Sequence, residues 1–528
     1  MSPKILITTS GKGTRLGNYT KYLNKSLVKI GDKPAISYII ENYPKDTEFV
    51  ITVGHLGNTV EEFLKLAYPE RKITIVREKK IESLVCSMLS AKSKLQCPFI
   101  FHACDTLVNK YSFPSTKNTI GVYKSHDATQ YRTINANSNG EVVKLNEKGE
   151  LNFDYVHIGL VQIIDYKGFW RTAEKLYKNK GGSSLSDCHI ISDMLSFTKF
   201  QCQEMTSWHD IGNVDSLMAA RSKFGESLCV LEKEEETIYK VGNNIIKFFN
   251  NPDIVEKRVE RTSYLKGITP EITGSTKQFY KYEYIEGENL ADIIDVPTFK
   301  KLLEFATTKL WGSNLEDRKK TPKSLCKKFY IEKTRGRLYD FFNKNGVVDK
   351  PEVINGEKVR PVLEMIEEIE PILVNYGFLG HFHGDFILDN IIGQKTKNGM
   401  NFKLIDWRQD FAGELEFGDI HYDMAKLMHN LTINHKIVSK NLYDVKITKK
   451  EVVCDILVPN ILNQCKEVLR ERIMRDLIRV PEPNKVFFLT PVIWLNMCAL
   501  HEYPFNYFLY YFGKYNLHLE IEGAKREI

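Results

Sequence analysis

Ten cysteines are scattered through the 528 residues, and no two of them form a Cys-x-x-Cys pair. Neither a zinc site nor a disulfide framework is signalled. Long apolar runs are missing too. The longest, Val486–Leu500, has 15 residues and contains Pro491 and Asn496, whereas a spanning helix takes about 20. It reads as a buried core helix. Met1–Thr8 lacks the cationic, apolar profile of a targeting segment and reads as a strand. There is no internal repeat, no low-complexity linker and little charge imbalance, since 74 Lys+Arg against 67 Asp+Glu leaves +7. Collagen, coiled-coil, disordered and membrane-spanning classes are excluded, and nothing points to nucleic acid. The basic stretch Arg470–Arg479, with Leu469, Ile473, Leu477 and Ile478 turned inward, reads as a helix with a solvated face. Histidines such as His55, His126 and His429 have no ligand-like spacing. The expectation is a soluble protein of a reducing cytoplasm.

What is present is enough apolar residue, 42% of the chain, for more than one core. Single cores stop growing at about 250–300 residues, so two domains are expected. The first hundred residues alternate: strands at Lys4–Thr8, Phe49–Val53, Ile73–Val76 and Phe99–His102, helices at Ala35–Tyr43, Thr59–Ala67 and Ser83–Lys92. Strict alternation predicts βαβ units and a mostly parallel sheet. Strand-like segments follow at Thr119–Tyr123, Glu141–Leu145 and Tyr155–Ile164, and a helix at Val214–Gly225 closes the pattern. Beyond it lie strands at Ser227–Glu232, Thr237–Val241 and Asn244–Phe249, the last two joined by a Gly242-Asn243 turn. A helix at Pro252–Leu265, a strand at Gln278–Tyr284 and a largely helical stretch from Leu290 onward complete the chain. This change of pattern puts a domain boundary at Gly225: residues 1–225 are α/β with a Rossmann-like, mostly parallel sheet, and residues 226–528 are α+β.

Ser10-Gly11-Lys12-Gly13-Thr14-Arg15 directly follows the first strand. Glycines let backbone N–H groups approach phosphate oxygens, and arginine offers them a fixed fork; the plain alternative is a solvated surface loop. The third glycine of a dinucleotide fingerprint and the Gly-Lys-Ser/Thr ending of a P-loop are both missing. Asp105 lies just past a strand at the carboxyl end of the sheet, where such folds bind ligands. Asp210 lies in Trp208-His209-Asp210-Ile211-Gly212-Asn213. Taken singly, each is a capping or turn residue; together, two carboxylates from separate strand ends suit Mg²⁺ on a triphosphate.

Gly11-Lys12-Gly13-Thr14-Arg15, Lys25-Ser26-Leu27 and Gly31-Asp32-Lys33-Pro34 stand in an order that resembles the sugar-phosphate nucleotidylyltransferases, above all the small members that activate phosphocholine or sugar phosphates. The resemblance covers Lys4 to Gly225. It implies that Gly11, Gly13, Arg15 and Lys25 cradle the triphosphate, with Arg15 and Lys25 catalytic, that Asp105 and Asp210 bind metal, and that Ser83 and Leu84 read the nucleobase. Glu147, Lys148 and Gly159 would meet the acceptor. Thr8-Thr9-Ser10 replaces the family's run of small residues, and no proline follows Glu147-Lys148.

The second string is His383-Gly384-Asp385-Phe386-Ile387-Leu388-Asp389-Asn390, followed by Leu404-Ile405-Asp406-Trp407. A buried turn with capping aspartates is the plain alternative. Phosphoryl transfer from ATP wants such a set: one carboxylate orients the attacking hydroxyl or accepts its proton, while an asparagine and another carboxylate hold Mg²⁺. These residues resemble the choline kinase and aminoglycoside phosphotransferase family, relatives of protein kinases with a bilobal fold, over Glu226 to Gly513. The resemblance implies that Asp385 is the catalytic aspartate, that Asn390 and Asp406 are the metal ligands, and that Lys247 holds the α/β phosphates with Glu260, or Glu256 one turn earlier, as its ion-pair partner. It makes Tyr284-Ile285-Glu286-Gly287 the adenine-holding hinge, with Glu286 in it, and gives Asp419 and Asp423 a structural role. Gly384 stands where protein kinases carry the arginine of His-Arg-Asp, which favours a small-molecule substrate.

Trp494, Tyr503, Phe505, Tyr507, Phe508, Tyr510, Tyr511 and Phe512 suit either a quaternary-ammonium cage or, more in keeping with their helical spacing, a core. The acceptor alcohol is left open among choline, a polyol, an amino alcohol, a sugar and a sugar acid. The expected function is bifunctional: ATP-dependent phosphorylation of a small alcohol, then transfer of CMP from CTP, or of another nucleotidyl group, to that phosphate. Such donors feed capsule, lipooligosaccharide or other surface-glycan assembly. The alternatives are two uncoupled activities, or a nucleotide-binding scaffold with one inactive domain.

Overall fold

Ile5 and Ile7 of the first strand enter one hydrophobic core, while Leu6 between them enters another. A strand buried on both faces is what a parallel sheet covered by helices requires, and it explains the unbroken apolar run at the start of the chain. The computed structural model describes residues 3–125, 129–180, 184–225, 234–312, 321–397, 399–475 and 482–527. The expected strand Ser227–Glu232, and His126, Leu477 and Ile478, lie outside them.

The strand Lys4–Thr8 sits between Phe99–Ala103 and Glu48–Val53, and Lys72–Arg77 pairs beyond the latter. These four strands are mutually parallel, with Thr8 level with both Ala103 and Thr52. The chain therefore builds outward in one direction and then returns to the other side of its first strand. Loops diverge at that switch point, and a cleft opens at the strands' carboxyl ends. The nine-stranded sheet is completed by Tyr155–Ile163, antiparallel to Phe99–Ala103, and by Asn118–Tyr123, Thr133–Ala136, Val142–Asn146 and Phe200–Glu204. The sheet is thus mixed: parallel from Phe99–Ala103 to Lys72–Arg77, and among the later strands antiparallel except where Phe200–Glu204 pairs parallel with Asn118–Tyr123.

By packing, the chain divides into two compact units, residues 1–255 with 273–284, and residues 256–272 with 285–528. The sheet formed by Glu236–Val241, Asn244–Phe249, Phe279–Glu283 and Ile272–Ser275 largely packs with the residues before Gly225. Tyr239, Ile246, Phe248 and Phe279 share the core of Ile5 and Ile7, and the Tyr239 hydroxyl donates to the Leu27 carbonyl at 2.6 Å. Phe63, on the helix Gly57–Ala67, holds this sheet with edge-on and tilted contacts to Tyr239 and Phe279 at 5.4 and 6.1 Å.

The second unit is richer in strand than its apolar pattern predicted. The helices Lys333–Asn345, Val362–Asn375, Ile420–Asn430, Asn460–Met474, Asn484–Met497 and Phe505–Glu527 dominate it. Glu352–Ile354, Glu357–Val359, Tyr443–Ile447 and Val452–Ile456 nevertheless form a four-stranded sheet. Two of these strands have three residues, too few to show a period of two. Asn484–Met497 is the core helix expected of the apolar run, with Val486, Leu489 and Leu495 wholly buried. No helix among the described residues is long and apolar enough to cross a membrane.

Candidate functional site

The loop after the first strand is fixed from below. Asn24 donates through its side-chain amide to the Thr9 and His55 carbonyls, both at 2.7 Å, and so places Lys25 at the mouth of the sheet. Gly13 has φ +66°, and a β-carbon there would come within 3.0 Å of Thr20; only glycine turns the chain here without strain. Gly11 has open space around it. Across the switch point, Trp208–Asp210 pairs antiparallel with Thr106–Val108, setting Asp210 opposite Thr106. The Ile211 N–H donates to the Asp105 carbonyl at 3.1 Å, so residues a hundred positions apart become neighbours.

Lys25 Nζ is ion-paired with Asp105 Oδ2. Burial opposes charge on both, and each partner outweighs it: the Lys25 ammonium stands above its ordinary value and the Asp105 carboxyl below. Asp210 is pushed up by burial and then by the negative charge of Asp105. The Tyr131 hydroxyl donates to Asp210 Oδ2 at 3.4 Å. A β-carbon built on Gly212 would lie 3.1 Å from Asp210 Oδ1 and 3.4 Å from Arg15 Nη2, so Arg15 reaches the same place. A cleft of about 380 Å³ runs from Arg15, Lys25 and Asp105 to Ser83 and Leu84, with Gly11 and Gly13 in its wall. Ser83 also caps the helix Leu84–Ala91 by accepting from the Cys86 N–H at 3.2 Å.

On the acceptor side, Lys148 is depressed by burial and then by the charges of Arg15 and Arg132, which puts four charged groups, Asp210 included, around one spot. The Glu147 carboxylate is largely exposed and accepts from Arg132 Nε at 3.0 Å. Gly159 has φ +75° beside a register shift, and a β-carbon there would meet that of Ala103 at 2.8 Å. Glu78 was not singled out by the sequence. Its Oε1 accepts from Ser10 Oγ, and its Oε2 is buried with no partner among the described residues. Strand-end position was the only available signal for it.

In the second unit, Ile391–Thr396 and Gly399–Leu404 form a hairpin pairing Ile391 with Leu404. The Ile405 N–H extends that ladder to the Asn390 carbonyl at 2.9 Å. Asn390 and Asp406 are therefore brought together by the base of one hairpin. The Asn390 side chain donates to the Asp385 carbonyl at 3.0 Å and to Asp385 Oδ2 at 3.2 Å. Lys426 Nζ is 2.7 Å from Asp385 Oδ1. Burial raises the Asp385 carboxyl, but Lys426 outweighs it and holds the group at about 2. Asp406 has φ +60°, uncommon for a non-glycine residue, and pairs with Arg258 Nη1 at 3.1 Å.

Buried Asp423 accepts from the His383 and Gly384 N–H groups, both at 2.7 Å, and so holds the loop; buried Asp419 accepts from Lys485 at 2.7 Å and from the Phe378 N–H at 3.1 Å. His383 is pushed by burial down to about 4. Lys247 is buried on its strand, whereas Glu260 and Glu256 are exposed on the helix Pro252–Arg261. Glu286 is exposed, its carbonyl accepting from Gln394 Nε2 at 2.9 Å. Trp494, Phe505, Phe508, Tyr510, Tyr511 and Phe512 are core residues, and Trp494 Nε1 donates to His429 Nδ1 at 2.7 Å.

A search of curated proteins finds no match to the chain. Solved structures similar to it include a UDP-glucose pyrophosphorylase complexed with UDP-glucose, at 17% identity over 42% of this chain and 98% of that one, TM-score 0.38. A putative glucose-1-phosphate thymidylyltransferase from Bacillus anthracis, in complex with sucrose, shares 17% identity over 44% of this chain and 98% of its own, TM-score 0.37. CTP:phosphocholine cytidylyltransferase from Streptococcus pneumoniae shares 20% identity over 42% of this chain and 99% of its own, TM-score 0.37. Residues 4–227 match the family model described as nucleotidyl transferase, and the chain carries an N-terminal nucleotidyltransferase domain.

Proposed function

We propose that the chain is a bifunctional enzyme. Residues 226–528, as a choline kinase-like domain, phosphorylate a small alcohol with ATP. Residues 1–225 then transfer CMP from CTP to the new phosphate and release pyrophosphate. The observation that carries the first-domain reading is the convergence of Arg15, Lys25, Asp105 and Asp210 at the switch point, at one end of a cleft whose other end is apolar Leu84 and Ser83. The acceptor's phosphomonoester is already a dianion near neutral pH, its second pKa being about 6. Its oxygen attacks the α-phosphorus as the bond to the bridging oxygen breaks, so no strong base is required. Arg15 and Lys25 stabilise the charge that builds on the phosphate oxygens, and Lys148 lies where the incoming phosphate enters.

Asp105 and Asp210 suit a hard cation, because they are two oxygen donors close enough for the charge of Asp105 to raise the buried Asp210 carboxyl. Mg²⁺ held there would neutralise the triphosphate and steady its geometry. In the second domain, Asp385 stays ionised and orients the attacking hydroxyl toward the γ-phosphorus, ADP leaving, with Asn390 and Asp406 as the oxygen ligands for Mg²⁺. Lys247, Glu260 and the backbone near Glu286 are assigned to ATP binding in this reading.

Glu78 supports CTP as the donor. A carboxylate only accepts hydrogen bonds, and cytosine offers an exocyclic amine where uracil and thymine offer a carbonyl. Glu78→Gln is expected to reduce the preference for CTP over UTP by about tenfold, or ~1.4 kcal/mol, measured as the ratio of kcat/KM values; an unchanged ratio removes Glu78 from base selection. The function itself is tested with purified protein, ATP, CTP, Mg²⁺ and a panel of alcohols. Release of ADP and pyrophosphate is expected, and release of neither contradicts the proposal.

A further inference from the structure

Four cations gather near Asp385. Lys426 reaches Asp385 Oδ1 at 2.7 Å, on the opposite carboxylate oxygen from Asn390, which donates to Oδ2. Lys333 and Arg408 flank the Phe329 ring, at 4.6 and 4.9 Å from its centroid. Arg337 stands one turn beyond Lys333 on the helix Lys333–Asn345 and donates to the Asn496 carbonyl at 3.3 Å.

Asp385 balances the charge of Lys426, and the other three cations have no such partner among the described residues. Lys333 and Arg408 have no carboxylate within ion-pair distance among the described residues, and Arg408 Nε is buried without a hydrogen-bond partner. The neighbouring acids are committed elsewhere: Asp410 to Lys257 at 2.9 Å, Asp419 to Lys485 and His421, and Asp423 to backbone N–H groups. Burial, then Arg408, Arg337 and Lys426, depress Lys333 to about 6. Holding like charges together in a half-buried place costs stability unless an anion arrives.

We infer that the alcohol phosphorylated at Asp385 carries its own negative charge, a carboxylate or a phosphate, which Lys333, Arg337 and Arg408 receive while Lys426 holds Asp385. The inference rests on the kinase reading of this unit and narrows its acceptor to anionic alcohols. The cations are assigned to the acceptor rather than to the ATP phosphates, because Asn390, a residue for metal-bound phosphate, donates to the other oxygen of Asp385. The same cations disfavour a quaternary ammonium substrate such as choline. The aromatic residues that a cage for one would need are mostly core.

Equilibrium binding to the full chain, with Mg²⁺ and a non-hydrolysable ATP analogue present, tests this using glycerate, glycerol 3-phosphate, glycerol and choline as probes. At least one anion is expected to bind about tenfold or more tightly than glycerol and choline, and which anion wins separates carboxylate from phosphate. Arg337→Gln and Lys333→Met, each checked for an unchanged melting transition, are expected to lose that margin while the ATP analogue binds within about twofold of its original affinity. Glycerol or choline binding as tightly as both anions overturns the inference, as does anion binding that survives in both variants. An ATP analogue that fails to bind, or binds Asp406→Asn equally well, overturns the kinase reading and the inference with it.

Discussion

Lys25 and Asp105 meet across 80 positions of sequence, and that one contact organises the first site. It keeps the Asp105 carboxyl ionised and, in the proposed reaction, would set a positive charge where phosphate charge accumulates. Lys25→Met is expected to lower pyrophosphate release by about 10²–10³-fold with CTP and a phosphorylated acceptor, read from kcat; a change within about threefold would remove Lys25 from the charge-stabilising set. The Asp385–Lys426 pair makes a pH-dependent statement. The Asp385 carboxyl lies at about 2 in the folded chain, below the unfolded value of about 3.9. Its pairing therefore contributes stability that is present above about pH 4 and is lost as pH falls toward 2. In Lys426→Met, burial acts on Asp385 with its main opponent gone, and the acid limb of the ADP-release profile is expected to move up by at least about one pH unit. An unmoved limb would show that Lys426 does not set that carboxyl's charge.

At the scale of elements, what was legible depended on length and regularity. Lys4–Thr8 and the alternating strands and helices to Phe99–Ala103 were readable because each is several residues long and apolar on the faces it buries. The strands Glu352–Ile354 and Glu357–Val359 were not, being three residues each and partly polar. Asp385, Asn390 and Asp406 stood out as a string, yet the reason for their spacing is the hairpin Ile391–Leu404, which pairing alone reveals. Glu78 and Arg258 were invisible because their meaning lies in long-range neighbours, Ser10 and Asp406. The helix Gly57–Ala67 shows how elements are tied within the first unit. Phe63→Ala removes a wholly buried ring between Tyr239 and Phe279 and is expected to cost about 3–5 kcal/mol, measured by chemical denaturation. A loss below about 1 kcal/mol would mean that the sheet of residues 236–283 does not depend on this contact.

At the scale of the whole molecule, the proposed function gives one chain two phosphate-handling clusters whose chemistries would follow each other: the phosphate that Asp385 would help to install would be the nucleophile that Lys148 and Arg15 receive. Two sites on one chain raise the effective concentration of the shared intermediate without any new contact. An anionic acceptor fits the order as well, since it gains a second anionic group before nucleotidyl transfer. The direct measurement is mass spectrometry of the products formed from ATP, CTP, Mg²⁺ and an alcohol library by the intact chain, by Asp385→Ala and by Asp105→Ala. The account predicts a nucleotide-linked alcohol from the intact chain and from neither variant, with the phosphorylated alcohol accumulating only in Asp105→Ala. A phosphorylated alcohol that the intact chain never converts to a nucleotide conjugate would contradict it and leave two separate enzymes on one chain.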